Sequence, residues 1–200
     1  MNLFGDQSAG NLLPYDGTVN YHGVVISAQE AWEFFETLLS KIPWEQDETV
    51  IFGKRIATAR KVAWYGDSDF EYAYSGTSKR ALPWNDELRR LKTKVEQCSG
   101  DTFNSCLLNL YHHGGEGMGW HSDDEKLLKC HAAIASVSLG AERKFSFRHK
   151  RTGETLSVIL EHGSLLVMKD ETQTHWQHMV PKTTKVREPR INLTFRTIEA

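Results

Sequence analysis

The sequence predicts a mainly β protein with flanking helices, an α+β fold whose second half forms an all-β barrel or a two-sheet jelly roll. From residue 104 onward, strand-like runs such as SCLLNLY, AIASVSLG and RINLTFR recur at short intervals, with turn residues between them. Helical spacing of apolar residues is confined to the first half of the chain. The composition, with 40% hydrophobic and 25% charged residues, is that of a folded globular domain.

The first half of the chain carries two predicted helices. Residues 28–41 place apolar side chains at helical spacing, and residues 85–97 open with Asn85 as a helix cap. Shorter β-like pieces lie between them, namely ETVIFGKRIA, RKVAWYGD and FEYAYSG. We expect both helices to pack outside one sheet of the jelly roll.

Composition and charge narrow the class of protein further. No stretch approaches about 18 consecutive apolar residues, which excludes a membrane span, and the N-terminus lacks the pattern of a secretory signal. The chain has three cysteines without CxxC spacing, namely Cys98, Cys106 and Cys130. They indicate reduced thiols in a cytosolic or nuclear compartment and no structural zinc site. The net charge of -2 argues mildly against a nucleic-acid partner, although basic residues gather around 54–61, 143–151 and 182–187.

One short motif indicates a metal site. His121 and Asp123 are two residues apart on an extended segment, so both side chains face the same way and can reach one ion. His178 is the best candidate for a third ligand, and His175 competes with it. Two histidines and one carboxylate leave three positions of an octahedral ion open, which is typical of non-haem iron(II) oxygenases. A hydrogen-bonded polar pair is the alternative interpretation of this motif.

The last strand-like run indicates a site for a dicarboxylate. Its polar residues alternate with apolar ones and therefore share one face: Arg190, Asn192, Thr194 and Arg196. Six strand residues span roughly 20 Å, and two arginine side chains leaning inward leave a gap of about one five-carbon diacid. Guanidinium groups bind carboxylates through two parallel hydrogen bonds. On another run, Asn109 and Tyr111 share a face and can donate to the same acid, whereas an edge strand with a solvated face is the alternative.

At these residues the sequence resembles the AlkB family of nucleic-acid dealkylases, and it looks closest to the branch that acts on duplex DNA. The matching motifs are Asn109-x-Tyr111, His121-x-Asp123, the distal His178, and RINLTFR at 190–196. The resemblance covers roughly residues 50–198. It implies that His121, Asp123 and His178 are the catalytic residues that hold Fe(II). It also implies 2-oxoglutarate as co-substrate, with Arg190 on its far carboxylate and the remaining motif residues around it: Asn109, Tyr111, Asn192, Thr194 and Arg196.

The resemblance also implies an architecture and a reaction. A double-stranded β-helix would occupy residues 101–200, and a nucleotide-recognition lid with a supporting helix would occupy 50–100. Residues 1–49 would form an N-terminal extension and helix. The implied reaction consumes 2-oxoglutarate and O₂ and removes alkyl groups from bases of the 1-methyladenine and 3-methylcytosine type. Formaldehyde and succinate are its products.

Such an enzyme must reach a base outside the stack. The resemblance places Tyr74 in the base-stacking position, with Tyr72 on the same strand face, and Phe52 as a wedge that fills the gap left by the base. Further predicted substrate contacts are Gly53, Lys54, Ser75, Asp124 and Glu125. Predicted contacts to the nucleic-acid backbone are Arg60, Arg148, His149 and Lys150. A tyrosine pair in the core and a solvated acidic turn are the respective alternatives for 72–74 and 124–125.

The expected partner is alkylated DNA, duplex or single-stranded, with RNA as an alternative substrate and no membrane. We expect a monomer that is nucleoid-associated in the cytoplasm of a bacterium or nuclear in a eukaryote. Three other functions remain open at this stage. They are a 2-oxoglutarate-dependent hydroxylase of a protein or small molecule, a catalytically silent nucleic-acid-binding jelly roll, and a mononuclear zinc hydrolase. The last gives no reason for the pair of arginines.

Overall fold

The computed structural model describes residues 10–51, 54–74 and 77–199, of which 48–51, 54–56, 72–74 and 77–79 are described by their backbone alone. The helices are α1 (Ala28–Lys41), α2 (Asp86–Ser99) and α3 (Thr172–His175). The strands of the first half are β1 (Thr18–Val24), β2 (Glu45–Ile51), β3 (Lys54–Gly66), β4 (Glu71–Tyr74), β5 (Thr77–Arg80) and β6 (Leu82–Pro83). Those of the second half are β7 (Ser105–Tyr111), β8 (Met118–His121), β9 (Ile134–Gly140), β10 (Arg143–His149), β11 (Thr155–Leu160), β12 (Ser164–Lys169), β13 (Trp176–Val180) and β14 (Arg190–Arg196).

The strands form two facing sheets and a separate hairpin. The larger sheet has the order β1-β12-β9-β14-β7-β3-β2, with β6 alongside β3, and the smaller sheet has the order β11-β10-β13-β8. Strands β4 and β5 pair only with each other among the described residues. The predicted mainly β jelly roll with flanking helices is therefore confirmed.

Two hydrophobic cores lie against the two faces of the larger sheet. Apolar side chains of α1 and α2, such as Phe35 and Leu88, pack on one of its faces with Leu193 of β14. Between the sheets, Phe147 of β10 and Leu166 of β12 belong to a second core. The larger sheet is thus buried on both faces, and polar residues between the sheets have little access to water.

Both predicted helices form close to the predicted bounds because their ends carry strong signals. The Ser27 side chain accepts from the Glu30 amide at the start of α1, and Asn85 accepts from the Leu88 amide at the start of α2. Helix α2 ends at Gly100, whose φ of 74° suits a residue without a side chain. None of the helices in the described ranges has the length and apolar content needed to cross a membrane.

The structure differs from the prediction in two places. Helix α3 interrupts the second half, where only strands were expected, because four residues are too few to show helical periodicity. Strand β1 pairs with β12, and β2 and β3 extend the other side of the same sheet. Strands from the first half of the chain thus belong to the same sheet as strands of the second half. The predicted domain bounds at residues 50 and 101 stay a prediction about the roles of these segments.

Candidate active site

Two neighbouring strands of the smaller sheet bring three metal-ligating side chains together. His178 of β13 lies directly opposite His121 of β8, and Asp123 follows β8 by two residues. One ligand atom from each of the three lies within 4.8 Å of the others. The Asp123 Oδ1 atom is 3.6 Å from Nε2 of His121 and 3.8 Å from Nε2 of His178. The three side chains can therefore bind a single ion.

The protonation states of this triad suit a metal. Nδ1 of His121 lies 2.8 Å from the Gly119 carbonyl oxygen, so Nδ1 carries the proton and Nε2 presents its lone pair. Burial lowers the pKa of His178 to about 3, which keeps its ring neutral. Burial by itself would raise the pKa of Asp123, but Arg196 and the two imidazoles outweigh burial and lower it. Two neutral imidazoles and one carboxylate are the forms that bind Fe(II).

His175, the competing candidate, lies elsewhere. It ends α3, three residues before His178, and its ring groups with His149 and Asp16 instead of the triad. His175 belongs to helix α3 and not to strand β13, so its ring does not share the strand position that sets His178 opposite His121. The geometry therefore favours His178 as the third ligand.

Arg196 connects the triad to the last strand. Its Nη2 atom donates to Asp123 Oδ2 at 3.0 Å, and its Nη1 atom donates to Glu125 Oε1 at 3.2 Å. The bond to Oδ2 fixes the orientation of the Asp123 carboxylate and leaves Oδ1 directed at the histidines. The bond to Glu125 holds the Arg196 guanidinium in place. Glu125 is an ion-pair partner of Arg196, and its predicted contact to the substrate stays a prediction. Asp124 is exposed and remains accessible.

Arg190 lies at the other end of the same strand and is 1% exposed. Its Nη2 atom donates to Ser138 Oγ at 2.8 Å, but Nε and Nη1 are buried and have no hydrogen-bond partner among the described residues. Burial lowers the pKa of Arg190 to about 10, so the guanidinium is still charged at neutral pH. A buried cation with two unused donors is costly and requires an anion. The far carboxylate of 2-oxoglutarate fits this requirement.

Strand β14 lies between β9 and β7 in the centre of the larger sheet, which excludes the interpretation of its polar face as a solvated edge. Ile191, Leu193 and Phe195 belong to the core on the helix side. The opposite face lines a cavity between the two sheets, together with residues of the triad and of β7: Asn109, Tyr111, His121, Asp123, His178, Asn192, Thr194 and Arg196. The residues predicted to bind the metal and the co-substrate are therefore neighbours. Arg190 lies at the opposite end of β14 from Arg196.

Sequence reasoning missed two groups in this cavity. Serines of β9 support the polar face of β14, because Ser136 accepts from Asn192 and Ser138 accepts from Arg190. Their signal is the alternation in IASVSLG, which places both serines on one strand face. The second group is Asp47, which lines the cavity and binds Arg60 Nη2 at 2.6 Å. This ion pair lies at a β-bulge of β3, where residues 58–60 lie between the partners of Gln46 and Glu48, and no sequence pattern indicates the bulge.

The residues predicted for the nucleic-acid backbone have different surroundings. Arg60 lines the cavity, and its Nε donates to Asn109 Oδ1 at 3.1 Å, so it is not on the outer surface. His149 is 1% exposed, which corrects its assignment because a buried ring cannot reach a phosphate. Lys150 is exposed, with Nζ 2.8 Å from the Gln173 carbonyl oxygen. Arg148 lies on the outer side of the smaller sheet, its guanidinium carbon 4.5 Å from the centre of the Trp120 ring.

Three of the predicted base-recognition residues lie on strands of the first half, namely Lys54, Tyr72 and Tyr74. Phe52, Gly53 and Ser75 lie outside the described residues. Lys54 begins β3, and Tyr72 and Tyr74 lie in β4 opposite Lys79 and Thr77. Their roles in substrate binding stay predictions.

Comparisons with known proteins agree with this geometry. A model of the 2OG-Fe(II) oxygenase superfamily matches residues 17–196. The human alpha-ketoglutarate-dependent dioxygenase alkB homolog 3 is 40% identical over 188 residues, which cover 89% of this chain and 65% of that protein. The mouse DNA oxidative demethylase ALKBH2 is 42% identical over 174 residues, which cover 83% of this chain and 70% of that protein. The chain thus spans about two thirds of the length of these curated relatives.

A solved structure, that of OsALKBH1, covers 92% of this chain and 99% of its own with a TM-score of 0.64 at 15% identity, and so shows the shared fold. The match to the superfamily confirms the predicted dependence on Fe(II), 2-oxoglutarate and O₂, for which the triad and Arg190 supply suitable groups. The identity to the two mammalian proteins confirms the resemblance first indicated by the motifs. This chain belongs to the 2OG-Fe(II) oxygenase superfamily and, within it, to the AlkB family.

Proposed function

We propose that this chain removes alkyl groups from nitrogen atoms of bases in DNA by oxidation. The observation that carries the proposal is the cavity between the two sheets, where the triad of His121, Asp123 and His178 meets β14, the strand that also carries Arg190 with its buried Nε and Nη1 atoms unpaired among the described residues. The choice of DNA rests on the relatives, because proteins 40–42% identical to this chain are named DNA oxidative demethylases.

The chain's own residues would prepare the reaction in three ways. Burial keeps His178 neutral, and Arg196 keeps Asp123 anionic and correctly turned. Arg190 would bind the far carboxylate of 2-oxoglutarate through its free donors. Bound Fe(II), with 2-oxoglutarate and O₂, supplies the oxidation of the alkyl carbon, which yields succinate, CO₂, formaldehyde and the unmodified base. The facing sheets exclude water from this site and so protect the reaction from side products.

The base would enter from the side of the first-half hairpins. Asp47 of β2 and Arg60 of β3 line the cavity, so the hairpin that these strands form adjoins the metal site. Tyr74 would stack on the displaced base with His121 on its other side, and Phe52 would fill the gap in the duplex. Asp124 is the exposed carboxylate that could meet an exocyclic amine or the positive charge of a methylated base.

The proposal includes finer expectations. The substrate is DNA, duplex or single-stranded, with RNA as an alternative to be compared in the same assay. We expect a monomer that works where DNA is, in the nucleoid of a bacterial cell or the nucleus of a eukaryotic one.

The deciding experiment incubates the protein with Fe(II), 2-oxoglutarate and oligonucleotides that contain 1-methyladenine or 3-methylcytosine. Single-stranded DNA, duplex DNA and RNA are compared, and succinate and formaldehyde are measured together. Formaldehyde in proportion to succinate supports the proposal. Succinate without formaldehyde on every oligonucleotide contradicts it and favours a hydroxylase of a protein or small molecule.

Alanine variants at Phe52, Tyr72 and Tyr74 separate these two outcomes further. They should lose dealkylation of the oligonucleotide while keeping the slow formation of succinate that needs no substrate. Retained dealkylation in all three would show that these hairpins do not recognise the base. Arg148→Ala should weaken DNA binding and reduce the slope of log affinity against log salt by about one unit, since it removes one phosphate contact.

A further inference from the structure

A second group of two histidines and one carboxylate lies outside the active site. It consists of Asp16 before β1, His149 at the end of β10 and His175 at the end of α3, with one ligand atom from each within 4.8 Å of the others. We propose that this group binds a divalent metal ion of the Zn²⁺ type. The cysteine pattern gave no sign of zinc, because this donor set consists of two imidazoles and a carboxylate.

The separations between donor atoms suit such an ion. The Nε2 atom of His149 lies 3.2 Å from Oδ2 of Asp16. Ligand atoms about 2.1 Å from a tetrahedral ion are about 3.4 Å apart, so Asp16 and His149 already have suitable spacing, and the His175 donor lies within 4.8 Å of both. Glu171 lies outside the group although its Oε2 is 3.5 Å from Nε2 of His175, so a water molecule is the expected fourth ligand.

The surroundings hold the donors in place. His149 is 1% exposed and packs against the rings of Tyr15, at 5.1 Å between centroids, and Trp176, at 4.9 Å. The indole of Trp176 donates to the Tyr15 carbonyl oxygen at 3.1 Å, and the Tyr15 hydroxyl donates to Glu154 at 2.7 Å. The loop that carries Asp16 is therefore anchored at Tyr15, through its carbonyl oxygen and its hydroxyl group. An ion would meet donors that are already ordered.

Two backbone features place Asp16 beside α3. Asp16 adopts a φ of 52°, in the left-handed region that aspartate tolerates better than most residues. At Gly17, with a φ of 150°, an added Cβ would lie 2.8 Å from Oγ1 of Thr172, the first residue of α3. The close approach of this turn to α3 brings Asp16 towards His175.

The His149 ring can adopt the tautomer that a metal needs. Nδ1 of His149 lies 3.1 Å from both the amide nitrogen and Oγ1 of Thr152. When Nε2 carries the proton, Nδ1 accepts from the amide, and Nε2 donates to Asp16. When Nε2 binds a metal, Nδ1 must carry the proton, so the ring gives up the hydrogen bond from the Thr152 amide and donates to the Thr152 hydroxyl oxygen instead.

The surroundings point to a structural ion. The guanidinium nearest Asp16, that of Arg151, lies 3.9 Å from Oδ2 and is 81% exposed, unlike the buried Arg190 of the active site. Aromatic rings occupy the space around His149. An ion here would join the N-terminal loop to β10 and to α3, which leads directly into the strand that carries His178.

The test counts bound metal and does not depend on turnover, so its failure is distinguishable from failure of the proposed function. Protein freed of metal is titrated with Zn²⁺ and read by calorimetry and by metal content. Wild type should bind two equivalents, and the His121→Ala, Asp123→Asn double variant should bind one. Adding His175→Ala to that double variant should remove the remaining equivalent. Asp16→Asn keeps the turn and the hydrogen bond but removes the charge, and it should weaken this site at least tenfold.

Controls keep the result interpretable. His113→Ala removes an exposed histidine outside both groups and should leave the stoichiometry unchanged. In the double variant, Zn²⁺ at about 100 times its Kd should raise the Tm by about 5–10 °C, and His175→Ala should abolish this shift. If the double variant does not fold, wild type and His175→Ala alone must still differ by one equivalent. Equal zinc binding with and without His175, or no zinc in the double variant, overturns the proposal in favour of a metal-free hydrogen-bonded cluster.

Discussion

The two groups of two histidines and one carboxylate have the same donors and very different surroundings. The triad of His121, Asp123 and His178 lies in a cavity between the sheets, with Arg196 on its carboxylate. The group around His149 is packed between aromatic rings at the end of β10. The donor set determines which ion can bind, whereas the space and charges beside it determine whether a substrate can also bind. We therefore expect the triad to be a reaction centre and the second group to bind an ion that only connects segments of the fold.

The largest difference between the two groups should appear when the carboxylate of the triad is removed. Asp123→Ala deletes a proposed ligand and leaves Arg196 without its nearest anion, so succinate formation should fall at least 100-fold, since even indirect metal contacts contribute about 10–100-fold. DNA binding should persist, because most of the proposed DNA contacts are made by other residues. The exposed Asp124 provides the matched control, and Asp124→Ala should retain succinate formation without substrate. Substantial turnover in Asp123→Ala would contradict the metal assignment.

The second prediction concerns the buried guanidinium of Arg190, which has no buried counterpart beside the second group. Arg190→Ala removes the buried partner of the co-substrate carboxylate, and an unpaired buried charge costs about 3–5 kcal/mol. The KM for 2-oxoglutarate should therefore rise about 100-fold or more, with Fe(II) content unchanged. Arg187→Ala, on the exposed segment before β14, should leave the KM near wild type. A similar KM in both variants would show that Arg190 has another purpose.

The third prediction uses the burial of His178. Its pKa is lowered to about 3, below the value of 6.5 for an unperturbed histidine, so the unfolded chain takes up a proton that the folded chain does not. Acidification from pH 6.5 towards 3 therefore destabilises the fold, by about 2 kcal/mol between pH 6.5 and 5 for this group. Urea unfolding of the metal-free protein at both pH values measures the loss. It should shrink in His178→Gln and persist in His131→Gln, which changes an exposed ring.

The smallest expected effect concerns the turn at the second group. Gly17→Ala would place a Cβ 2.8 Å from Oγ1 of Thr172 and 2.9 Å from its Cα, so the turn must shift. We expect a loss of about 1–3 kcal/mol in unfolding free energy and weaker zinc binding at Asp16, with catalysis largely retained. Gly10→Ala, whose Cβ meets nothing within 4 Å, should change neither quantity. Equal behaviour of both variants would mean that the turn does not set the geometry of the second group.

The sequence predicted which candidate site residues lie together because their arrangement follows local periodicity. His121 and Asp123 share a face through their spacing of two, and the alternation in RINLTFR separates Asn192 from Leu193. These patterns persist in the structure because both faces of β14 are buried, which fixes the strand register.

The remaining features depend on contacts that are distant in the sequence. Asp16 and His149 are separated by 133 residues, and nothing near either one indicates the other. His149 stood in a basic run that suggested a phosphate contact, but the strand alternation turned its ring inward against Tyr15. Arg60 lies in a bulge of β3 and pairs with Asp47 of β2 beside the cavity, which no local pattern predicts. The positions of these side chains follow only from the three-dimensional structure.

The unused donors of Arg190 have a consequence for regulation by metabolites. Succinate keeps the far carboxylate of 2-oxoglutarate, so the guanidinium that recruits the co-substrate also retains the product. The rate of repair should therefore follow the ratio of the two acids in the cell, and not the concentration of 2-oxoglutarate alone. Under the proposed function, a single buried side chain would thereby make DNA repair respond to the balance of two carboxylic acids in the cell.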